Sequence, residues 1–405
     1  MHLAPPQLGA TPGRAGQAPP AFRGKALQGW TGVCRNGSKP VRPLRSITFM
    51  QRNHNKTLLV GPPAALLGWP MPVEDGLNGG KIMANLNRRH FLAATSGLAA
   101  SALLPGAGLA RAPQIGTTIP GWYRFPIGDI EATIISDGLL NLGSANDQFP
   151  AASPDTIASI LKDEFLPVSP MMLEQNCLVL NIGERVVLLD SGMGRDAMFG
   201  DQSGRLLGNL SAAGIEPGQV DDIVLTHAHI DHCSGLVAAD GTLNFPNAQL
   251  HMSQADFDFW TDEAKLSGEG SQPAFVKAAR HNLLPYRDRL TFVTDKAEVL
   301  PGITAISTPG HTVGHTSYLI SSGNQSFLNV GDVVHHYALL FENPGWAFAY
   351  DTDPNQAAET RIKLFDMAAT EQLPLIGYHF PFPGLGHIRR EGQGFEYVPI
   401  PVRHG

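Results

Sequence analysis

The sequence beyond residue 112 predicts an α/β fold in which two packed, mixed β-sheets are flanked by helices, an αββα sandwich. Segments with strand character outnumber segments with helical character. Neighbouring strands are joined by hairpins in some places and by helices in others, which is typical of two sheets with helices outside. An apolar fraction of 43% over 405 residues is enough to build a buried core.

The first half of this region contains short apolar and β-branched runs separated by polar residues and glycine. Strands are predicted at 129–138, 176–183, 185–192, 221–226 and 248–253, and the second and third of them form a hairpin. Residues 204–214 predict a helix that ends at Gly214. A second helix is predicted to begin at Gln254, with Ser253 as its N-cap.

The second half continues the same pattern. Strands are predicted at 302–308, 316–321, 326–332 and 373–379, and a helix near 355–369. Histidine or aspartate follows several of these strands directly or closes them. Loops at strand ends hold polar side chains on a rigid frame, so chemistry is expected there.

The first 112 residues have a different character. Residues 1–82 are rich in Pro, Gly, Ala and Arg without a sustained period, and they predict a disordered extension or a start placed too far upstream. Residues 83–112 contain Arg88-Arg89, an apolar stretch and an A-x-A-like site at 110–112. They resemble a twin-arginine export signal, with an amphipathic helix as the alternative. We therefore expect a periplasmic or secreted protein whose folded domain spans residues 113–405.

Charge is distributed unevenly between these two parts. Residues 1–112 hold 13 of the 29 Lys and Arg residues and two of the 36 acidic residues. The remaining 16 bases and 34 acids give residues 113–405 a formal net charge of −18. A domain this acidic repels phosphate backbones and anionic lipids. Nucleic acid is therefore not expected as a partner, nor is a membrane once the signal is removed.

The three cysteines are few and widely spaced. They fit neither a disulfide framework nor a cysteine-based zinc site. We expect Cys177 and Cys233 to be small buried side chains.

The stretch "THAHIDHCSG" at 226–235 is the strongest functional pattern. It follows the apolar strand predicted at 221–226. Residues two apart in an extended chain point the same way, so His227 and His229 can bind one ion together. Asp231 and His232 follow after the chain bends, and they can face a second ion. Imidazole and carboxylate ligands suit a borderline divalent cation such as zinc.

Three further residues complete a set large enough for two ions. His311 lies in a Gly/Pro turn between two predicted strands, Asp332 follows another strand, and His379 ends the last one. A single histidine at a strand end is more often not a ligand. The three together, in this order, favour a metal site.

The motifs "LLDSG", "THAHIDH", "GHTVGHTS" and "GD", followed by a last strand-end histidine, resemble the metallo-β-lactamase fold superfamily over roughly residues 120–400. Within that superfamily, "PGWYRFPIGDIEATIISDG" and "FPFPGLGHIRREGQGFEYVP" are similar to the methyl parathion hydrolase group of exported dinuclear enzymes. The resemblance implies a metallo-β-lactamase αββα sandwich and a homodimer.

The resemblance also implies a role for each candidate ligand. The first of two divalent ions would be bound by His227, His229 and His311, the second by Asp231, His232 and His379, and both by Asp332. Zinc is the expected ion, although manganese, cobalt and iron suit the same ligands. A hydroxide bridging the ions would attack the substrate, and Asp231 could relay a proton. Asp190 would support the site without binding metal.

Aromatic side chains are expected above the ions. Phe199, Trp260 and Phe275 stand where the resembling group has them, and they would bind an aryl or acyl group of the substrate. Packing in the core is the alternative for each. The segment 342–353 differs from that group, which leaves the choice of substrate open.

The expected function is metal-dependent hydrolysis of a phosphotriester similar to methyl parathion, or of a carboxyl ester or lactone. A quorum-quenching-type lactonase and a glyoxalase-II-like thioesterase are the alternatives within the enzyme class. The diiron electron-transfer proteins of this fold usually have a carboxylate where His229 stands. A metal-stabilised binding protein without turnover is a third class.

Overall fold

The computed structural model describes residues 119–267 and 270–403. Within these ranges the chain forms fourteen β-strands, eight α-helices and four short 3-10 segments. The predicted extension at 1–82, the predicted signal at 83–112 and Cys34 lie outside the described residues.

The first sheet contains seven of the described strands in sequential order. These are β1 (Trp122–Ile127), β2 (Ile130–Asn141), β3 (Met172–Ile182), β4 (Arg185–Leu189), β5 (Asp222–Val224), β6 (Gln249–Ser253) and β7 (Leu290–Val293). Pairing is antiparallel from β1 to β4 and parallel from β4 to β7. The sheet is therefore mixed, as expected from the alternation of hairpins and helical connections.

The second sheet contains the other seven described strands, also in sequential order. These are β8 (Glu298–Leu300), β9 (Ile303–Ser307), β10 (Thr316–Ser322), β11 (Gln325–Asn329), β12 (Leu375–Ile376), β13 (Leu385–Glu391) and β14 (Gly394–Pro399). Only the β11–β12 pair is parallel among these described strands. A long helix connects that pair, as a parallel connection requires.

The described helices fall into three chain regions. They are α1 (Ala145–Gln148), α2 (Pro154–Asp163), α3 (Leu206–Ala212), α4 (Ile230–Cys233), α5 (Gln254–Thr261), α6 (Gln272–Leu283), α7 (Leu339–Glu342) and α8 (Pro354–Glu371). The 3-10 segments are Pro217–Gln219, Glu263–Ser267, Leu284–Arg289 and Gly331–Val333. Among the described residues, none of the helices has both the length and the apolar character that crossing a bilayer requires.

Three apolar clusters define the layers of the fold. The middle cluster combines side chains of both sheets, such as Ile134 and Leu189 of the first sheet with Tyr318 and Phe327 of the second. A second cluster packs α3, α5 and α6 on the first sheet. The third packs α2, α7 and α8 on the second. The arrangement is the predicted αββα sandwich.

Local predictions agree with the structure where one strand or helix dominates a segment. The hairpin predicted for 176–183 and 185–192 is formed by β3 and β4. The segment 373–379 contributes only the two residues of β12, and the remainder turns toward the functional site. Helices α2 and α6 were not predicted. Cys177 and Cys233 are free and buried in the core, as expected.

His336 precedes α7, which begins at Leu339, and its imidazole ring is neutral. Its Nδ1 accepts hydrogen bonds from the backbone N–H groups of Ala338 and Leu339. Burial lowers the pKa of His336 to about 4. In the unfolded chain this imidazole takes up a proton near pH 6.5, whereas in the folded chain it stays neutral down to about pH 4. The contribution of the neutral ring to the free energy of unfolding is therefore lost as pH falls from 6.5 through 4.

We expect His336→Asn, which keeps an acceptor for the helix, to weaken the pH dependence of unfolding. The difference in unfolding free energy between pH 7 and pH 4 should shrink by up to about 3 kcal/mol. Urea titrations of metal-free protein at both pH values measure it, with exposed His281→Asn as the control. An unchanged difference in His336→Asn would contradict the assignment.

Candidate metal centre

Seven histidine and aspartate side chains predicted from the sequence meet at one end of the sandwich. One group comprises His227, His229 and His311, and the other Asp231, His232, Asp332 and His379; within each group the potential ligand atoms lie within 4.8 Å of one another. All seven side chains are buried. They follow β5, β9, β11 and β12, so strand ends position every one of them.

Asp332 lies between the two groups. Its Oδ2 is 3.5 Å from His311 Nε2 and 3.8 Å from His227 Nε2, both in the first group. The same carboxylate is 3.1 Å from His379 Nε2 and 3.3 Å from His232 Nε2, in the second group. One carboxylate therefore reaches nitrogens of both groups.

Four of the histidines are oriented by hydrogen bonds from Nδ1 to acceptors outside the two groups. The acceptors are Thr226 Oγ1 for His227, Asp190 Oδ2 for His232, Asp351 Oδ1 for His311 and the Glu174 carbonyl for His379, at 2.8–3.0 Å. With Nδ1 donating, each ring directs Nε2 toward the centre. Such outer hydrogen bonds fix the tautomer of a metal-binding histidine.

The centre contains buried polar atoms that the described residues leave without hydrogen-bond partners. They are His227 Nε2, His232 Nε2 and Asp332 Oδ1. In contrast, His229 Nδ1 donates to His311 Nε2 at 2.9 Å, so these two nitrogens are paired with each other when no ion is bound. Buried polar atoms without partners are costly. A divalent cation bound by nitrogen and carboxylate oxygen would satisfy them, so the residues present fit a borderline metal such as zinc.

In the absence of an ion, the histidines of the first group differ in protonation from His232 of the second group. Burial, with neighbouring histidines, lowers the pKa of His227, His229 and His311 well below the usual range, so these rings are neutral. Burial disfavours charge on His232 too, but the Asp332 carboxylate and its neighbours raise the pKa of this ring well above its usual value. The proton on His232 supplies positive charge that a metal ion would otherwise supply, so metal binding would release this proton.

Asp190 and Thr226 support the first ligands. Asp190 has a φ of +60° and is fully buried, and its carboxylate accepts from the backbone N–H and the hydroxyl of Thr226 as well as from His232. Because the Thr226 hydroxyl donates to Asp190, it accepts from His227 Nδ1. Asp190 thus orients two rings without approaching the centre, as the resemblance implied.

His315 positions the shared carboxylate from behind. Its Nε2 accepts from the backbone N–H of Asp332 at 2.9 Å, and its Nδ1 pairs with Thr308 Oγ1 at 2.8 Å. Burial lowers the pKa of His315 to about 3, so the ring stays a neutral acceptor. Gly331, with φ +52°, allows this contact, since a Cβ there would lie 2.7 Å from His315 Nε2.

Asp256 of α5 joins two ligand-bearing loops. Its carboxylate accepts from the backbone N–H of Ala228 at 2.7 Å and of Gly314 at 2.9 Å. Ala228 lies between His227 and His229, and Gly314 follows His311 in its turn. Burial raises the pKa of Asp256 to about 6.

A small apolar cavity of about 20 Å³ lies over the centre. Its apolar wall is formed by Leu140, Leu142, Leu173, Phe199, Phe275, Phe348 and Tyr350. Phe275 and Tyr350 stack with centroids 6.0 Å apart, and Phe199 meets Tyr350 edge-on at 5.8 Å. These three rings form an aromatic lid.

Trp260 is placed differently from Phe199 and Phe275. It is buried in the core cluster and does not line this cavity. Its ring packs edge-on against His229 with centroids 4.9 Å apart. Trp260 therefore supports a ligand from behind, because the helix α5 turns it away from the cavity.

Besides His315 and Asp256, the sequence analysis missed His335, Tyr350, Asp351 and Tyr378. His335 lines the cavity, and its Nε2 is 3.2 Å from Asp332 Oδ2. Tyr350 and Asp351 lie on the segment 342–353, whose departure from the resembling group was the available signal. The Tyr378 hydroxyl donates to the Asp231 carbonyl, and its ring lies 3.9 Å from that of His232.

Comparison with known protein families gives a match to the model described as the metallo-beta-lactamase superfamily, over residues 172–379. That range contains all seven residues of the two groups. It also includes the cavity wall from Leu173 to Tyr350.

Two solved structures are similar over most of the chain. AidC, a dizinc quorum-quenching lactonase in complex with a product, N-hexanoyl-L-homoserine, is 30% identical; the match covers 70% of this chain and 99% of AidC, with a TM-score of 0.66. The hydrolase AbOPH of the beta lactamase superfamily is 32% identical; the match covers 71% of this chain and all of AbOPH, also with a TM-score of 0.66.

A relative that is similar in sequence is also a lactonase. An N-acyl homoserine lactonase from Bacillus sp is 24% identical over 240 residues, which are 55% of this chain and 84% of that enzyme.

We expect Asp256→Asn to loosen the metal centre. The amide has only one acceptor oxygen for two backbone donors, so one of the two loops is released. Loss of an outer hydrogen bond of this kind costs roughly 10–100-fold in metal affinity or activity. Competition with a coloured chelator measures the affinity, and exposed Asp258→Asn on the same helix is the matched control. Equal affinities in the two variants would contradict the role.

Proposed function

Since the chain belongs to the metallo-beta-lactamase superfamily, we propose that it is a metal-dependent hydrolase that opens the ring of an N-acyl homoserine lactone or a similar acylated lactone. The observation that carries the proposal is the pair of buried ligand groups sharing Asp332 at the base of an apolar cavity. The similarity to a dizinc lactonase over 70% of the chain supports the same substrate class.

The proposed ligand assignment follows the two groups. His227, His229 and His311 hold one ion, Asp231, His232 and His379 hold the other, and Asp332 contacts both. When bound, two such divalent ions, zinc being the expected one, polarise a carbonyl or phosphoryl oxygen and lower the pKa of water.

Asp231 and His335 are the polar side chains best placed to act on a substrate. Asp231 lines the cavity, and its Oδ2 is 3.4 Å from His379 Nε2. This oxygen can hold a proton and pass it to the departing alkoxide of the lactone. His335 lines the same cavity; its Nε2 lies 3.2 Å from Asp332 Oδ2, and its Nδ1 has no hydrogen-bond partner among the described residues. It can therefore donate to the amide or ring carbonyl of an acylated lactone.

The apolar wall binds the acyl chain and excludes water. A cavity of about 20 Å³ holds about one water molecule, so a substrate enters only if the aromatic lid moves. Phe199 and Tyr350 are partly exposed members of the lid, whereas Phe275 is buried. We propose that the Phe199 ring swings outward to admit the acyl chain and then packs along it.

A phosphotriester with an aryl leaving group is the second candidate substrate. The lid places three aromatic rings beside the ligand groups, and aromatic rings stack favourably on an aryl group. The motifs similar to the methyl parathion hydrolase group favour the same chemistry. Turnover of such esters could be a secondary activity of a site built for lactones.

We expect metal-restored turnover with a preference for the lactone. The full-length protein is stripped with a chelator, reloaded with zinc or manganese, and tested on N-hexanoyl homoserine lactone, p-nitrophenyl acetate and methyl parathion. Asp332→Ala should abolish turnover, since it removes the carboxylate shared by both groups. Exposed Asp258→Ala should retain it.

The ranking of the three substrates decides between the candidates. Faster turnover of methyl parathion than of the lactone would replace the first candidate with the second. A protein that binds metal and hydrolyses none of the three substrates would contradict both candidate functions.

We expect Phe199→Ala to raise KM for long-chain acyl lactones more than for short-chain ones. Full burial of a phenylalanine is worth about 1.5–3 kcal/mol, and every 1.4 kcal/mol is tenfold in affinity, so a rise of up to about tenfold follows for a partly buried ring. Initial rates with butanoyl and decanoyl homoserine lactones measure it. Exposed Phe165→Ala is the control, and an equal KM ratio in both variants would refute the acyl-binding role.

A further inference from the structure

Arg361 is a fully buried arginine in the middle of α8, a helix on the outer side of the second sheet. It is absent from the two ligand groups and from the cavity wall. A buried guanidinium is costly unless its donors are paired. Its partners therefore indicate what the side chain does.

Three of those partners are backbone carbonyls of the segment that joins Asp332 to Asp351. Arg361 Nε donates to the Val333 carbonyl at 2.7 Å, and Nη1 donates to the carbonyls of Pro344 and Trp346 at 2.8 and 2.9 Å. Val333 directly follows the shared carboxylate. Trp346 precedes Phe348 and Tyr350, which line the cavity. Arg361 thus fastens both ends of this segment, defined as residues 333–351, to α8.

The fourth partner links Arg361 to a proposed metal ligand. Nη2 of Arg361 lies 3.7 Å from Asp351 Oδ2, an ion-pair contact without a hydrogen bond, and has no hydrogen-bond partner among the described residues. The same carboxylate accepts from His311 Nδ1 at 3.0 Å through Oδ1 and from the Phe348 N–H at 3.0 Å through Oδ2. One buried carboxylate therefore connects the guanidinium, a ligand ring and the cavity wall.

Helix α8 also packs directly on the loop that carries His311. Thr352 N–H donates to the His311 carbonyl at 2.8 Å, and Thr360 Oγ1 donates to the Pro309 carbonyl at 2.7 Å. Gly310 has φ +134°, and a Cβ there would lie 2.2 Å from the backbone nitrogen of Ala357. The His311 loop therefore packs closely against α8, the helix that carries Arg361.

We propose that Arg361 is a positioning residue that sets the metal-facing direction of His311 and the cavity wall formed by Phe348 and Tyr350, acting through Asp351 and the segment 333–351. The wall part of this inference rests on the proposed lactonase function, and the His311 part rests only on metal binding. The two parts share one anchor. Loss of the anchor should therefore weaken one metal site and raise KM for acylated substrates in the same variant.

The experiment compares Arg361→Met and Arg361→Lys with Lys363→Met, which makes the same cation-to-methionine change at an exposed position of α8. The zinc affinity of the full-length protein is measured by chelator competition. The values of kcat and KM are measured with N-hexanoyl homoserine lactone. We expect Arg361→Met to weaken one of two zinc equivalents by roughly 10–100-fold. KM should rise as well. Arg361→Lys should recover part of both losses, and Lys363→Met should match the wild type.

A double-mutant cycle separates positioning from a general loss of stability. Asp351→Asn should weaken the same zinc equivalent. If Arg361 acts through Asp351, adding Asp351→Asn to Arg361→Met should cost little more than the single change. If the fold-losses of zinc affinity in the two single variants multiply in the double variant, the proposal is overturned. Wild-type zinc affinity in Arg361→Met would also overturn it.

Folding is checked by the thermal unfolding transition of each variant. If Arg361→Met lacks the wild-type transition, Arg361→Lys and Asp351→Asn decide, because Asp351→Asn keeps the three carbonyl contacts of Arg361. Wild-type zinc affinity in both would overturn the proposal. A wild-type protein that loses zinc in the expected pattern but hydrolyses no lactone would leave the His311 role standing and reject the proposed substrate.

Discussion

The arrangement of the site depends on one buried carboxylate surrounded by imidazole nitrogens. Nε2 atoms of five histidines lie within 3.8 Å of the Asp332 carboxylate oxygens, namely His227, His232, His311, His335 and His379. Rings this close cannot all be protonated, and His227 Nε2, His232 Nε2 and Asp332 Oδ1 have no hydrogen-bond partner among the described residues. The cluster is therefore incomplete by itself, and a divalent cation is the partner that its donor atoms suit.

The surrounding fold keeps these side chains from rearranging to satisfy themselves. Each candidate ligand follows a strand of a sheet, and hydrogen bonds to acceptors outside the two groups hold four of the rings from behind, among them those of His232 to Asp190, of His311 to Asp351 and of His379 to a backbone carbonyl. His315 does the same for the backbone of Asp332. The strands fix where each loop begins, and the outer hydrogen bonds fix where each ring points. Preorganisation of this kind spares the protein the reorganisation that a flexible site would need at each ion-binding event.

Local sequence patterns were sufficient for the parts of the protein that depend on local geometry. The spacing of His227 and His229 after an apolar strand predicted their shared orientation, and strand ends led to His311, Asp332 and His379. Residues that act across long sequence distances were missed, since no local pattern marks them. Asp351 is 40 residues from His311, and Arg361 resembles any helical arginine until its burial is known. Trp260 shows the converse: its place on α5 could be predicted, but not the side of the helix that faces the cavity.

The segment 333–351 has a consequence for how this protein can change over evolutionary time. It carries Asp351, which orients His311, and also Phe348 and Tyr350, which shape the cavity. Given the proposed roles, a substitution that reshapes the wall on this segment would also perturb metal binding, so selection for a new substrate would meet a penalty there. Phe199 lies on a different loop, and the rings within its reach are those of Phe275 and Tyr350. Phe199 contacts the segment through the Tyr350 ring and not through Asp351, so variation at Phe199 should incur a smaller penalty. New substrate ranges should therefore arise first at this position, and changes in the segment should follow only when a second substitution restores the ligand.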